Sequence, residues 1–266
     1  MKLTLIYRQE DAGKNKEYIE MYRQECRRRG WKFSLYIHGK TGCGVSDAEF
    51  ADTDIAVNRS RDYQLSESLE MRGIRVFNKS RVAFLGNDKF AALKQMRDWD
   101  IPVLPFNKDL PENVSFPLVM KSRDGHGGNE VFLVSKPSDA DEIYAAHPDR
   151  SFFFQDFCDT PGRDLRIYVV GGKIVAAMLR ESDRDFRSNY SLGGKASLRE
   201  PDKKESTLAE CILKHLDIDF AAIDLIYHRG EPVFNELEDA AGARMLYANS
   251  DIDIVHLFFE HMSRSI

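Results

Sequence analysis

Short apolar runs alternate with longer amphipathic ones through the first eighty residues. "KLTLIY" at 2–7, "KFSLYI" at 32–37, "DIAVN" at 54–58 and "IRVFN" at 74–78 read as strands. Residues 14–29 carry a helical pattern closed by Gly30, and "DYQLSESLEMRG" at 62–73 carries another with Gly73 at its end. Glycine suits the position just past a helix, where the backbone turns left-handed. This β-α-β-β-α-β rhythm predicts a small α/β unit with a largely parallel sheet, ending near residue 80.

The pattern then changes. "NDKFAALKQMRDWD" at 87–100 reads as a helix with an Asn or Asp cap and a stop before Pro102. The strand "FPLVMKS" (116–122), the glycine-rich "RDGHGGNE" and the strand "VFLV" (131–134) follow. Residues 138–146 read as a helix. "SFFFQDF" (151–157), "RDLRIYVV" (163–170) and "KIVAAMLRES" (173–182) read as strands, the last two joined by "GGK". "STLAECILKHLD" (206–217) is an amphipathic helix. "DFAAIDLIY" and "PVFNELE" form a hairpin around "HRGE", and "DIDIVHLFFEHM" closes the pattern as a helix. This second part is antiparallel-rich α+β, and no internal repeat is visible.

Composition narrows the function. A chain of 266 residues can bury a sizeable core in one or two domains. A formal charge of −5 and a pI near 5.9 argue against a general nucleic-acid surface. The one tight basic run, Arg27–Arg29, suits a helix C-terminus. The four cysteines, Cys26, Cys43, Cys158 and Cys211, form no C-x-x-C motif, so reduced thiols are expected. "GKTGCGVSD" at 39–47 has its Lys-Thr before the later glycines, unlike a phosphate-binding P-loop, and reads as a flexible loop. The opening "MKLTLIYRQED" is too short and polar for a signal peptide, and no run approaches the ~18 apolar residues of a membrane span. A cytoplasmic protein is expected.

Chemistry concentrates at the end of the hairpin. "FNELEDAAGARM" (234–245) places Glu236, Glu238 and Asp239 within four positions. Side chains alternate along a strand, so Glu236 and Glu238 share a face. A three-residue turn, His228–Gly230, would pair Tyr227 with Glu231 and Asp224 with Phe234, bringing Asp224 to that face. Two carboxylates at ~4 Å repel by about 4 kcal/mol at an effective dielectric near 20. Such a cluster is either a solvated strand end or the partner of something positive, such as Mg²⁺ or Mn²⁺.

Upstream, Lys121 ends a strand before Gly125, Gly127 and Gly128, whose backbone could approach phosphate oxygens. The bland alternative is a glycine-rich hairpin turn. Lys89 opens a helix. "GRDLR" supplies Asp164 and Arg166, and "FRSN" supplies Arg187, Ser188 and Asn189. Each alone reads equally well as a turn or surface pair.

Their order is what carries information. A lysine-bearing strand with a glycine loop, then "QDF", "GRDLRIYVVGGKIVAAMLR", "DFRSNYSLGGKA" and Asp-x(11)-Glu-x-acid resembles the ATP-grasp enzymes, specifically the RimK-type carboxylate–amine ligases. The resemblance covers residues 87–245. It implies a pre-ATP-grasp α/β domain over 1–80 and an ATP-grasp domain over 81–266. The latter would divide into a central lid subdomain at about 103–157 and a catalytic subdomain at about 158–266.

By resemblance, Lys121 and Lys89 would contact ATP phosphates, and residues 125–128 would form the loop closing over them. Asp156 and Phe157 would lie in the adenine hinge, and Asp164 would be a nucleotide-binding aspartate. Arg187, Ser188 and Asn189 would stand beside the transferred phosphate. Asp224, Glu236 and Glu238 would hold two Mg²⁺ ions, with Mn²⁺ as a substitute. The implied reaction joins a small-molecule or peptide carboxylate to an amine through an acylphosphate. The rival readings are a nucleotide-binding module without turnover and a small-molecule kinase. No nucleic-acid or membrane partner is implied, and a homo-oligomer is compatible.

Two departures from the family pattern stand out. Glu238 replaces the usual Asn, which preserves an oxygen ligand but adds a charge. "DAAGARM" replaces a Ser-Ser-Pro-Gly-like turn, near the acceptor site. Arg244 within it is a candidate for a substrate carboxylate, or equally for an ion pair with Asp239. His126 reads as a loop-packing residue.

Overall fold

Four parallel strands form the first sheet of the computed structural model, which describes residues 1–39, 47–189 and 193–266. They are β1 (Lys2–Arg8), β2 (Lys32–His38), β3 (Ile55–Asn58) and β4 (Arg75–Phe77), in the order β2-β1-β3-β4. Every neighbouring pair is parallel, as the apolar rhythm predicts. Helices α1 (Gln9–Lys14), α2 (Lys16–Arg28), α3 (Asp47–Phe50) and α4 (Tyr63–Met71) connect them. The helix expected over 14–29 is α2, and the short α1 precedes it, separated at Asn15, whose side-chain amide donates to the Asp11 carbonyl at 2.7 Å. The start of α4 is fixed by Asp62, which accepts from the backbone N–H groups of Gln64 and Leu65. Most of the 39–47 loop expected from the sequence lies outside the described residues.

Helices α5 (Ser80–Asn87) and α6 (Lys89–Asp98) lead to a second sheet. Asp88 caps α6 by accepting from Ala91 N at 2.9 Å. The second sheet holds β5 (Phe106–Asn107), β6 (Leu118–Ser122), β7 (Val131–Val134) and β8 (Phe152–Asp156), in the antiparallel order β5-β8-β6-β7, with α7 (Pro137–Ala146) packed on it. The third sheet is β9 (Arg163–Val170), β10 (Lys173–Glu181), β11 (Lys195–Leu198), β12 (Phe220–His228) and β13 (Glu231–Glu238). Its order is β11-β10-β9-β12-β13, antiparallel throughout. Helices α8 (Lys203–Leu213), α9 (Arg244–Asn249) and α10 (Ile254–Arg264) complete the chain.

The apolar core does not stop at residue 80. Phe258 and Phe259 of α10 pack edge-on against Tyr22 of α2, with ring centroids 6.4 and 5.3 Å away. Asn78, just past β4, donates to the Phe220 carbonyl and to Asp239, and accepts from the N–H groups of Asp219 and Phe220. One buried amide thus ties the end of the first sheet to β12 and to the end of β13.

The β12–β13 hairpin corrects the expected turn. His228 pairs with Glu231, so the loop has two residues, Arg229 and Gly230, with φ of 53° and 74°. Positive φ at both positions suits the twist of a tight hairpin. A regular ladder from that turn would put Asp224 opposite Asn235, on the wrong face. Instead the register shifts between Asp224 and Leu225: Leu225 faces Phe234, Asp224 faces Glu236, and Asn235 is the extra residue of a β-bulge. The bulge, not the turn, places Asp224 beside Glu236.

Candidate active site

A buried ladder of alternating charge crosses four strands of the third sheet. Arg180 on β10 lies opposite Asp164 on β9, and Arg166 on β9 lies opposite Asp224 on β12, which lies opposite Glu236 on β13. Arg180 holds Asp164 with two bonds of 2.6 Å. Arg166 holds Asp224 with bonds of 2.8 and 2.7 Å, while Arg180 adds a third at 2.8 Å. Arg166 also reaches Glu238 at 2.6 Å. Asp164, Arg166, Arg180 and Asp224 are all buried. Burial works to raise the Asp224 carboxyl, but the two guanidiniums outweigh it and hold it at about 2. Glu238 moves the other way. Burial and the neighbouring Asp224 and Glu236 charges raise its carboxyl against the pull of Arg166.

The second sheet supplies cations to the same space. Lys121, near the end of β6, donates to Gln155 on β8 at 2.7 Å and to Asn235 at 2.8 Å. The bulge that restores the β13 register therefore also hands Asn235 to Lys121. Burial lowers the Lys121 ammonium from 10.5 to about 8; Lys89 adds to the shift and Glu236 opposes it. Lys89, buried at the start of α6, pairs with Glu236 at 2.9 Å and donates to the Gly125 carbonyl.

Two loops close the space. Arg187 donates to the Gly128 carbonyl at 2.7 Å and is held by Asp185, so the "FRSN" segment grips the glycine loop directly. Gly127 and Gly128 have φ of 69° and 78°, which a side chain would strain. The Phe157 ring lies 6.0 Å from that of Phe186, and Asp156 N donates to the Pro105 carbonyl.

One cavity between the two sheets is lined by Lys89, Lys121, Gly127, Gly128, Asp156 and Phe157. Asp164, Arg187, Ser188, Asn189, Asp224, Glu236 and Glu238 line it as well. Two expected residues stand outside it. Gly125 faces the far side, where a Cβ would meet the Glu130 carboxylate at 2.7 Å, and Arg244 lies in adjoining cavities beyond Glu238. The expected pair of Arg244 with Asp239 is absent among the described contacts; Asp239 is buried and takes amide donors from Asn78 and Asn87. Burial raises its carboxyl to about 6. His126 is largely buried in the loop, and burial followed by the Lys89 charge lowers it to about 3.

Gln155, Asn235, Cys158 and Arg180 line the cavity without having been singled out, and Arg166 had no role. Parity along β9 was the available signal for Arg166, since it shares a face with Asp164. Nothing in the sequence marks Asn235 as a bulge.

The donor set fits a hard cation only in part. Glu236 and Glu238 offer oxygens to the cavity, and about a fifth to a quarter of each side chain is exposed. Both Asp224 oxygens are spent on arginines, and no group of three acidic, His or Cys side chains among the described residues is arranged to hold an ion.

Lysines and a glycine loop on one antiparallel sheet face acids on another across a cleft, and this defines an ATP-grasp enzyme. The chain belongs to the RimK-like ATP-grasp family, whose domain model matches residues 107–262. A probable alpha-L-glutamate ligase of Xanthomonas axonopodis pv. citri (strain 306) is 31% identical over 248 residues, covering 88% of this chain and 83% of that protein. Solved structures share the fold at lower identity. The RimK domain ATP-grasp protein of Sphaerobacter thermophilus DSM 20745 superposes with a TM-score of 0.72 at 19% identity, covering 98% of this chain and 99% of that one. D-alanine–D-alanine ligase of Bacillus anthracis complexed with ATP superposes at 0.73 and 16% identity, covering 99% and 95%. The activity of the family is ATP-dependent carboxylate–amine ligation, and ATP is its nucleotide. No helix among the described residues is long and apolar enough to cross a membrane.

Proposed function

We propose that this chain joins a small-molecule or peptide carboxylate to an amine, with the residues lining the cavity dividing the work. A carboxylate oxygen attacks the γ-phosphorus of ATP; the bond to the β-phosphate oxygen breaks and ADP leaves. The amine nitrogen then attacks the acylphosphate carbonyl, the C–O bond to phosphate breaks, and amide, phosphate and a proton result. Positioning and charge neutralisation are the protein's contribution.

Lys121 and Lys89 hold phosphate oxygens. Gln155 and Asn235 aim Lys121, and Arg187 neutralises the phosphoryl group in transfer while pinning Gly128 above it. Phe157 and the backbone at Asp156 hold the adenine, and Asp164 acts through Arg180. The closed loops exclude water from the acylphosphate. The single observation that carries this reading is the meeting of Lys89, Lys121, Arg187, Glu236 and Glu238 in one cavity.

Mg²⁺ supplies Lewis-acid neutralisation of the phosphates when bound. Glu236 and Glu238 would hold it, with Asp224 behind them fixing the arginines beside the site. An all-oxygen pair of this charge suits Mg²⁺, with Mn²⁺ as a substitute, and a second ion would need ligands from the nucleotide phosphates.

ADP release should require a carboxylate and an amine together. Release with a hydroxyl acceptor alone identifies a kinase. ATP binding without ADP under any pairing identifies a binding module.

A further inference from the structure

The glycine loop between β6 and β7 faces two ways. Gly127 and Gly128 line the nucleotide cavity, whereas His126, one residue earlier, lines two cavities beyond Glu238. Those cavities measure about 590 and 180 Å³ and share Arg61, Asn87 and His126. The smaller one meets the nucleotide cavity at Glu238. Lys89 and Arg187, both in the nucleotide cavity, donate to the Gly125 and Gly128 carbonyls on either side of His126. The side chains assigned to the phosphates therefore also hold the imidazole in place.

His126 itself is unspent. It makes no hydrogen bond or ion pair among the described residues. The carboxylates of the smaller cavity are engaged: Asp11 by Arg61, Glu238 by Arg166, and Asp239 by two asparagine amides. Arg59, Arg61 and Arg244 can only donate. Of the side chains there that can accept a hydrogen bond, His126 alone makes none among the described residues.

An attacking amine needs such a partner. Its nitrogen must arrive with the lone pair free, and a carboxylate beside it would hold it as ammonium. A neutral imidazole accepts an N–H without doing so. Burial and the Lys89, Arg61 and Arg8 charges keep the ring neutral against the pull of Asp124, and the same cations disfavour an ammonium beside it.

We propose that His126 accepts an N–H of the incoming amine and aims its lone pair at the acylphosphate carbonyl, so that the loop over the nucleotide also carries the acceptor contact. This rests on the ligase reading. Nitrogen bonds to the carbonyl carbon, and the C–O bond to phosphate breaks with its electron pair leaving on the phosphate oxygen. The proton shed by nitrogen ends on that departing phosphate. His126 orients the amine and stays neutral throughout.

Two measurements on the full chain test this. In the first, N-acetyl amino acids serve as carboxylates, amino acid methylamides as amines, and ATP carries ¹⁸O in its β–γ bridge. Scrambling of the label reports phosphoryl transfer, which needs no amine, and amide yield reports the second step. In His126→Ala the ratio of amide formed to label scrambled should fall about tenfold, while His126→Gln, which keeps a neutral acceptor, should stay within about threefold of the wild type. A loop residue that only packs would slow both steps and leave the ratio unchanged, which overturns the proposal. In the second, imidazole ¹⁵N signals are followed in the chain bound to a non-hydrolysable ATP analogue as the methylamides are added. The signal missing from His126→Gln should shift, and a signal that stays put overturns the proposal even without turnover. The ligase reading is judged separately. Neither scrambling nor amide from any pair would sink it, and a His126 shift would still leave the amine contact standing.

Discussion

Two sets of arginines lie on opposite sides of Glu238, and they differ in what they touch. Arg166 and Arg180 are buried with carboxylates on their forks: Asp224 on both, Asp164 on one and Glu238 on the other. Arg59 and Arg244 have none. A buried ion pair has already met its counter-charge and serves to fix geometry, whereas Arg59 is held by neutral groups, the Tyr7 hydroxyl and two backbone carbonyls. The same residue type thus builds the charged floor of one cavity and lines the neighbouring one without a carboxylate on its fork.

The largest effect should come from breaking the matched set. Asp224→Ala removes the carboxylate that two buried guanidiniums share, leaving Arg180 only Asp164 and Arg166 only Glu238, and should cost about 3–5 kcal/mol of stability, with turnover lost. Urea unfolding measures the first and ADP release the second. A loss under about 1 kcal/mol would mean that the ladder is not fixing the fold.

Glu236→Ala removes the partner of Lys89 and a cavity oxygen while leaving the arginine ladder whole. Turnover should fall about 10²–10³-fold, the scale of losing one preorganised charge contact, with unfolding nearly unchanged. Glu238→Asn should be milder, keeping ADP release within about tenfold of the wild type, because an amide oxygen can replace a carboxylate oxygen. If Asn at 238 is as inactive as Ala at 236, position 238 is not an interchangeable oxygen ligand.

The smallest effect separates a titrating cation from the permanently charged arginines. Burial lowers the Lys121 ammonium to about 8, so its charge should be lost progressively as pH rises through that value. Affinity for a non-hydrolysable ATP analogue, compared between the wild type and Lys121→Met at each pH, should show a wild-type advantage that is full below about pH 7 and declines as pH passes 8. Above 8 it should weaken by up to tenfold per pH unit, since the phosphates bind only the ammonium. Lys121→Met should bind more weakly and lose that slope. A slope that persists in the variant would assign it to another group.

Much of this was legible because it is periodic. The parallel rhythm of residues 1–80 and the two-residue alternation of "RDLRIYVV" and "KIVAAMLRES" map onto β1–β4, β9 and β10. The conclusion that Asp224 joins Glu236 also held, but through a different cause. The tight Arg229–Gly230 turn alone gives the wrong parity, and a bulge at Asn235 restores it. A bulge is one residue of mispairing set by both strands, and no pattern along one strand announces it. The short elements α1, α5, β11 and α9 span too few residues to show a period. Arg59 could not be read from sequence either. Its environment is made by Tyr18, forty-one positions before it, and by Ala240 and Ala241, far after it.

The most direct measurement follows oxygen. The chain is incubated with ATP, Mg²⁺, hydroxylamine as the amine, and a pool of amino acids labelled with ¹⁸O in every carboxyl group. Attack by carboxylate on the γ-phosphorus, followed by amine displacement, predicts ADP and inorganic phosphate carrying one ¹⁸O per molecule released. Unlabelled phosphate, or AMP in place of ADP, would contradict the acylphosphate route.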